Sequence, residues 1–221
     1  MNGRLLPRAA LTDAQRADML ALLQANFAGV NAAQFAADLA GKNWVILLED
    51  DAAKIRGFST LQAYESAVVP ARVVFSGDTI VDRDAWGSNA LARTWLESVR
   101  QLRADYWLLI TSGFRTYRFL PVFWREFWPR FDCPGRPPLL EALARERFNG
   151  HYDPALGIAR LAAPQILRNG LKEIPANRMA DPHVAFFAQI NPGHVQGDEL
   201  VCLCPLTAAN QTPVGRRLVK L

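Results

Sequence analysis

Two periods of apolar residues alternate along the chain. Behind Thr12, residues Met19, Leu20, Leu22, Leu23 and Phe27 form a stripe that predicts a helix through DAQRADMLALLQANF, capped by Thr12 and stopped near Gly29. NAAQFAADLAG predicts a second helix, with Phe35 and Leu39 four apart and Gly41 closing it. The pattern then shortens. NWVILLED is a nearly unbroken apolar run, as in a strand covered on both faces. DDAAK reads as a turn and IRGFSTLQAYE as the returning strand of a β-hairpin, with Ile55, Gly57, Ser59 and Leu61 placed on one face. ARVVFSGDTIV is the third strand. Gly57 and Gly77 each interrupt a strand pattern, the mark of a bulge or a close backbone approach.

Helical spacing returns in ALARTWLESVRQLRADY, where Leu91, Trp95, Val99 and Leu102 share a face, and ADYWLLITS follows as a fourth strand. FRTYRFLPVFWREFWPRF reads as an aromatic amphipathic helix with Phe119, Phe123, Phe127 and Phe131 on one stripe; Pro121 either kinks it or starts its second half. FDCPGRPP is a loop and LLEALARERF a short helix. HVAFFAQINPG and DELVCLCPLT read as two late strands, a hairpin over residues 183–207.

Composition narrows the classes. Half of the 221 residues are hydrophobic and 21% are charged, enough for a sizeable core and too apolar for a disordered chain. The net charge of +4 suits an anionic small ligand or weak contact with a polyanion, and no run of five basic residues marks a nucleic-acid tail. There are three cysteines. Cys202 and Cys204 form a CxC pair on one strand face. They read as buried small hydrophobes, or as part of a Cys/His site with His183 and His194, although the spacing fits no zinc pattern and no metal is expected. The odd cysteine count and the absence of an apolar leader core in MNGRLLPRAAL lead to the expectation of a cytoplasmic protein, and no apolar run reaches membrane-spanning length.

The stretch VDRDAWGSNALARTW joins the third strand to the next helix. Gly87, Ser88 and Asn89 place small residues where a helix start exposes unpaired N–H groups and the positive end of its dipole, a ready site for an anion. A plain N-cap by Ser88 or Asp84, with Gly87 as a turn residue, would use the same residues.

The order of helices, hairpin, strand–turn–helix and strand–helix over residues 44–131 resembles the GNAT acyltransferase superfamily. The family's turn, Gln/Arg-x-x-Gly-x-Gly/Ala, lies on Asp82, Ala85 and Gly87, with Arg83 one place late. The resemblance implies an α/β (α+β) fold, a mixed and mostly antiparallel central sheet flanked by helices. It implies a single domain over 1–221, its core about 1–131 plus the late hairpin, with 132–180 as an extra segment that shapes an acceptor pocket or a dimer contact. The implied donor is acetyl-CoA or another acyl-CoA, held by Ile80, Val81, Arg83, Trp86, Gly87, Ser88 and Asn89, and the implied acceptor is a small-molecule amine. The base would be Asp78, beside Gly77 on the central strand, with Glu65 in reserve. Where the family places a tyrosine acid this chain has Trp124, which leaves Tyr117, two turns earlier, as the candidate acid. Asp78 paired with Arg72 or Arg115, and Tyr117 as a core-edge aromatic, are the structural alternatives. A basic rim of Arg115, Arg118, Arg125 and Arg130, with the aromatic helix, would suit an acyl carrier protein and a long acyl chain. A binding module without turnover is the other alternative. His151, His183 and His194 read as surface or loop residues. Hydrolase elbow, P-loop and dinucleotide fingerprint are all missing.

Overall fold

The computed structural model describes residues 1–219. The strands are β1 (Asn2–Pro7), β2 (Phe27–Ala28), β3 (Trp44–Glu49), β4 (Ile55–Glu65), β5 (Arg72–Val81), β6 (Tyr106–Thr111), β7 (Tyr152–Asp153), β8 (Ile158–Ala159), β9 (Ile166–Leu167) and β10 (Glu199–Pro205). The helices are α1 (Asp13–Asn26), α2 (Ala32–Ala40), α3 (Ala90–Gln101), α4 (Phe114–Phe123), α5 (Pro138–Phe148), α6 (Pro182–Ile190) and α7 (Pro213–Leu218). Eight strands form one sheet in the order β1-β3-β4-β5-β6-β10-β8-β7, and β2 pairs with β9 apart from it. Every neighbouring pair in the large sheet is antiparallel except β5 and β6. The fold class is therefore the one expected, a mixed and mostly antiparallel sheet flanked by helices.

Local chemistry accounts for the first helices. Thr12 and Gln15 form a reciprocal capping box at α1, and Asn31 caps α2 through the Gln34 N–H. One sheet face packs Phe58, Val45 and Leu47 against α1 and α2, and Phe75, Leu108 and Val201 against α5. The other packs Ile46, Leu61, Trp107 and Cys202 against α3, α4 and α6. Strand β3 meets both layers, so Val45 to Leu48 have no accessible surface.

Several expectations change. Residues 182–190 form helix α6, not a strand, so the hairpin over 183–207 does not exist; Asp181 caps that helix and Pro182 starts it. Strand β10 instead inserts between β6 and β8. The aromatic helix ends at Phe123. The Arg125 N–H then bonds the Asn210 carbonyl, and Trp128 exchanges two backbone bonds with Leu203, so tertiary partners replace helical ones. Phe127 is buried outside the helix and Phe131 is exposed. On β4 a register shift beside Leu48 separates Ile55, which joins the α1–α2 layer, from Leu61, which joins the α3 layer. Strand β1, the sheet's edge beside β3, is absent from the sequence reading.

Candidate active site

Ser59 pairs with Thr79 and Leu61 with Ser76, so Thr60 of β4 alone opposes Gly77 and Asp78 of β5. The extra residue is a bulge at Gly77–Asp78. It coincides with the end of the parallel ladder, since β5 pairs with β6 only over Val73–Ser76 against Tyr106–Leu109. At that last rung the Trp107 indole donates to Ser76 Oγ at 2.8 Å. Beyond it the strands part around a cleft of about 1460 Å³, walled by Asp78 to Val81 on one side and Ile110 to Gly113 on the other. The Asp82 N–H bonds the Arg56 carbonyl on β4. By the two-residue alternation of a strand, Thr79 and Val81 then turn their N–H groups to the open edge, where no β6 carbonyl meets them.

One end of the cleft exposes backbone amides at the start of α3. Ile80, Val81, Trp86, Ser88 and Asn89 line it, as does Leu91 in the first turn of α3. Asn89 caps α3 with no side-chain bond, Ser88 Oγ accepts the Ala90 N–H at 3.1 Å, and the first backbone bond of the helix is made by Arg93. The amides of Leu91 and Ala92 therefore remain available. The Asp82 carboxylate does not oppose an anion there: it is held by Arg56 at 3.0 Å and by the Asp84 N–H, and is not part of the cleft wall. Arg115 lies over Trp86 at 4.6 Å and Phe114 at 4.5 Å, and donates to the Leu171 carbonyl. Burial lowers its pKa from the usual guanidinium value, and repulsion from Arg178 and Arg83 adds to the effect. None of these three arginines makes an ion pair among the described residues. Of the expected donor residues, Gly87 and Arg83 are not part of the cleft wall: Gly87 faces open space, with no heavy atom within 4 Å of where a Cβ would stand, and the Arg83 guanidinium lies near Gly170.

The middle and far end hold carboxylates. Asp78 makes no hydrogen bond or ion pair among the described residues. Arg72 is taken by Glu65 at 2.6 Å, which also removes Glu65 as a free base. Burial raises the Asp78 carboxyl from 3.8 to about 6, Lys42 partly offsets this, and Asp38 adds to it. Across the splay, Glu199 at the start of β10 lies against Ser112. Burial pushes it up to about 8, with hydrogen bonding from Ser112 opposing and the nearby Asp78 adding. Sequence reasoning missed Glu199, whose place beside the end of β6 depends on the β10–β6 pairing. It also missed Ser112, Lys42, Arg147 and Arg178, all in the cleft wall.

Tyr117 is not in that wall. Its side chain is fully buried, stacked near Phe127 and Phe187, and its hydroxyl donates to the Pro129 carbonyl at 2.9 Å. A phenol so placed, its pKa raised far by burial, cannot reach a leaving group in the cleft. The expected basic rim is also reduced: Arg118 pairs with Asp181 and Arg130 with Asp132. Cys202 and Cys204 lie in the core on the α3–α4 face, and no cluster of metal ligands occurs among the described residues. His183 stacks near Phe127 and Phe131, His194 is buried, and His151 reaches the cleft wall.

The segment thought to be extra closes the cleft. Residues 161–165 and Leu167, Leu171 and Arg178 wall it, and β9 crosses to pair with β2, fixed by Arg168 bonding the Asn26 and Gln24 carbonyls. No helix among the described residues is long and apolar enough to cross a membrane.

No family model matches the chain, and no curated protein matches it. Solved structures similar to it include the GNAT family N-acetyltransferase YhbS from Escherichia coli in complex with CoA, at 14% identity and a TM-score of 0.42 over 54% of this chain and 68% of that one. A chain of the NatC complex bound to Gag peptide and CoA is similar at 11% identity and a TM-score of 0.44, over 94% of this chain and 100% of that one. The ribosomal-protein-alanine N-acetyltransferase from Brucella melitensis biovar Abortus 2308 is similar at 15% identity and a TM-score of 0.38, over 49% and 79%. YhbS and the Brucella protein are described as N-acetyltransferases, and none of the three fixes what this chain acts on.

Proposed function

We propose that the protein is a divergent GNAT-type acyltransferase that moves an acyl group from acyl-CoA to an amine by direct transfer. The observation that carries this reading is the splay at the Gly77–Asp78 bulge: one continuous cleft joins an end suited to an anion, at α3, Arg115 and Arg178, to a carboxylate-bearing end. A coenzyme diphosphate suits the first end, where free amides, a helix dipole and guanidinium groups all favour negative charge. The pantetheine arm would run along the open edge of β5. There the Thr79 and Val81 amides can hold it and polarise the thioester carbonyl as negative charge builds on its oxygen.

An amine arrives protonated and must lose a proton before it attacks. Asp78, titrating near 6, is ionised at neutral pH yet basic enough to take that proton. Attack on the carbonyl forms the C–N bond, the adduct's nitrogen gives its second proton to water in the cleft, and collapse of the adduct breaks the C–S bond and releases thiolate. Glu199, pushed to about 8, carries a proton at neutral pH and is placed to return one to the thiolate in the role that Tyr117 cannot fill. Two carboxyl groups whose surroundings drive them to different pKa values divide the work of base and acid. Alignment of the two reactants supplies much of the remaining rate.

The test is release of free thiol from acetyl-CoA against a panel of amines, with calorimetric titration of CoA in parallel. Micromolar CoA binding with amine-dependent thiol release is expected. Failure to bind CoA overturns the donor assignment, and binding without release under any amine leaves a binding module.

A further inference from the structure

At the carboxylate end two cations converge on one ring. Lys42 follows α2 and is 8% exposed; its ammonium lies 5.4 Å from the Phe75 centroid and donates only to the Asp38 carbonyl, at 3.2 Å. Arg147, in the last turn of α5, lies 4.5 Å from the same centroid. Its Nε is buried with no acceptor, and it makes no ion pair or side-chain hydrogen bond among the described residues. The adjacent Glu146 cannot serve it, being taken by Ser66 Oγ and the Ala67 N–H at 2.7 Å each. On the neighbouring strand the hydroxyls of Thr60 and Tyr64 are likewise buried without partners.

Buried lysine and arginine side chains are ordinarily paired, because an unpaired charge loses its hydration for nothing. Here burial lowers both pKa values, and the like charge of Arg147 lowers Lys42 further. Asp78 attracts Lys42 but is not within ion-pair distance of it, and Asp38 accepts from Gln34 at 2.9 Å. Neither carboxylate is bonded to either cation. The Gly77 position makes room for this arrangement: a Cβ there would stand 2.8 Å from Lys42 Cε and from Thr60 Oγ1. Lys42, Arg147, Phe75, Gly77, Asp38 and Asp78 all belong to the cleft wall.

We infer that the acceptor is a free amino acid, its carboxylate held between Lys42 and Arg147 over Phe75 while its amine faces Asp78. This deepens, and rests on, the acyl-transfer reading. A guanidinium fork beside a point charge suits a carboxylate, and the unpaired Asp78 carboxylate suits an ammonium. A bare amine would leave both cations unsatisfied, so the pocket should reject analogues that lack the anion.

The experiment compares free amino acids with their carboxamides, with phosphoethanolamine, with spermidine and with short peptides, in the thiol-release assay. Calorimetric titration of the same compounds into the protein alone runs beside it. At least one free amino acid should be acylated with kcat/KM at least tenfold above its carboxamide, a comparison that needs no variant. In Lys42→Met and Arg147→Met, KM for that amino acid should rise at least tenfold while KM for acetyl-CoA stays within twofold; thermal melts confirm folding. Carboxamide, spermidine, phosphoethanolamine or peptide used as well as or better than every free amino acid overturns the inference and leaves acyl transfer standing. An amino acid that binds with a carboxylate dependence but is never acylated sustains the site and overturns acyl transfer. Neither binding nor turnover of any amino acid overturns the inference outright.

Discussion

Replacing Asp78 by Asn should make the protein slower and more stable at the same time. In an unfolded chain this carboxyl titrates near 3.8, and in the folded protein near 6, chiefly because burial disfavours its charge. Below 3.8 it is neutral in both states and costs nothing. Above 6 it is ionised in both, and the folded state bears the full cost of a partly buried charge with no hydrogen bond or ion pair among the described residues. The wild type therefore loses stability from this group as pH rises from about 4 to about 6. At 1.36 kcal/mol per pH unit, the difference between 3.8 and about 6 sets a ceiling of about 3 kcal/mol. Water in the cleft screens part of that, and the substitution also removes the attraction Asp78 offers Lys42, so a gain of about 1–2 kcal/mol is expected. Urea unfolding of both proteins at pH 7.5 and pH 4.5 measures it, the gain appearing at the higher pH and shrinking at the lower. Over the same range the wild-type kcat/KM should climb through about pH 6, and the variant should lose about 10²–10⁴ in kcat along with that limb. A variant less stable than wild type at pH 7.5, or a gain equal at both pH values, would refute the assignment of Asp78 as a charge held against its solvation. Unaltered turnover would refute its role as base.

Arg115→Gln and Arg178→Gln should each weaken acetyl-CoA binding about ten- to a hundredfold in calorimetry, the value of one charge-assisted hydrogen bond, with the melting temperature unchanged in the Arg178 variant and lowered in the Arg115 variant, which gives up its bond to the Leu171 carbonyl. Gly77→Ala and Gly87→Ala should separate the two ends of the cleft. The first drives a Cβ into Lys42 and Thr60, and should lower stability by about 1–3 kcal/mol and impair acceptor use. The second enters open space, and should leave the melt unchanged while weakening CoA binding if the diphosphate lies over it. Tyr117→Phe removes a buried hydroxyl and strands the Pro129 carbonyl. It should cost about 1–2 kcal/mol in denaturant unfolding with kcat unchanged; a large fall in kcat would return the tyrosine to the mechanism.

What could be read from the chain follows from how far apart the interacting residues lie. The donor end is local: strand, turn and helix are consecutive, so Ile80 to Asn89 carry their own signal, and Gly77 announces the bulge because a glycine weakens a strand wherever nothing else requires it. The acceptor end is not local. Lys42 and Arg147 meet over Phe75 only because α5 returns beneath the sheet, and Glu199 faces Asp78 only because β10 inserts beside β6. Each looks, in its own segment, like an ordinary solvated charge. Misread elements fail for a related reason. HVAFFAQI is a short apolar run that a buried strand would also show, and the Asp181–Pro182 cap just upstream makes it a helix. The aromatic run after Phe114 keeps helical spacing to Phe131, yet from Arg125 onward Asn210 and Leu203 offer the backbone better partners than its own carbonyls do. Pro121 marks the weak point, its missing N–H making the helix easier to end there. Pattern therefore reports the half of the site that one βα unit builds, and long-range pairing decides the half that selects the acceptor. This is why the two unpartnered cations, invisible as a motif, say more about the acceptor than any residue the motif contains.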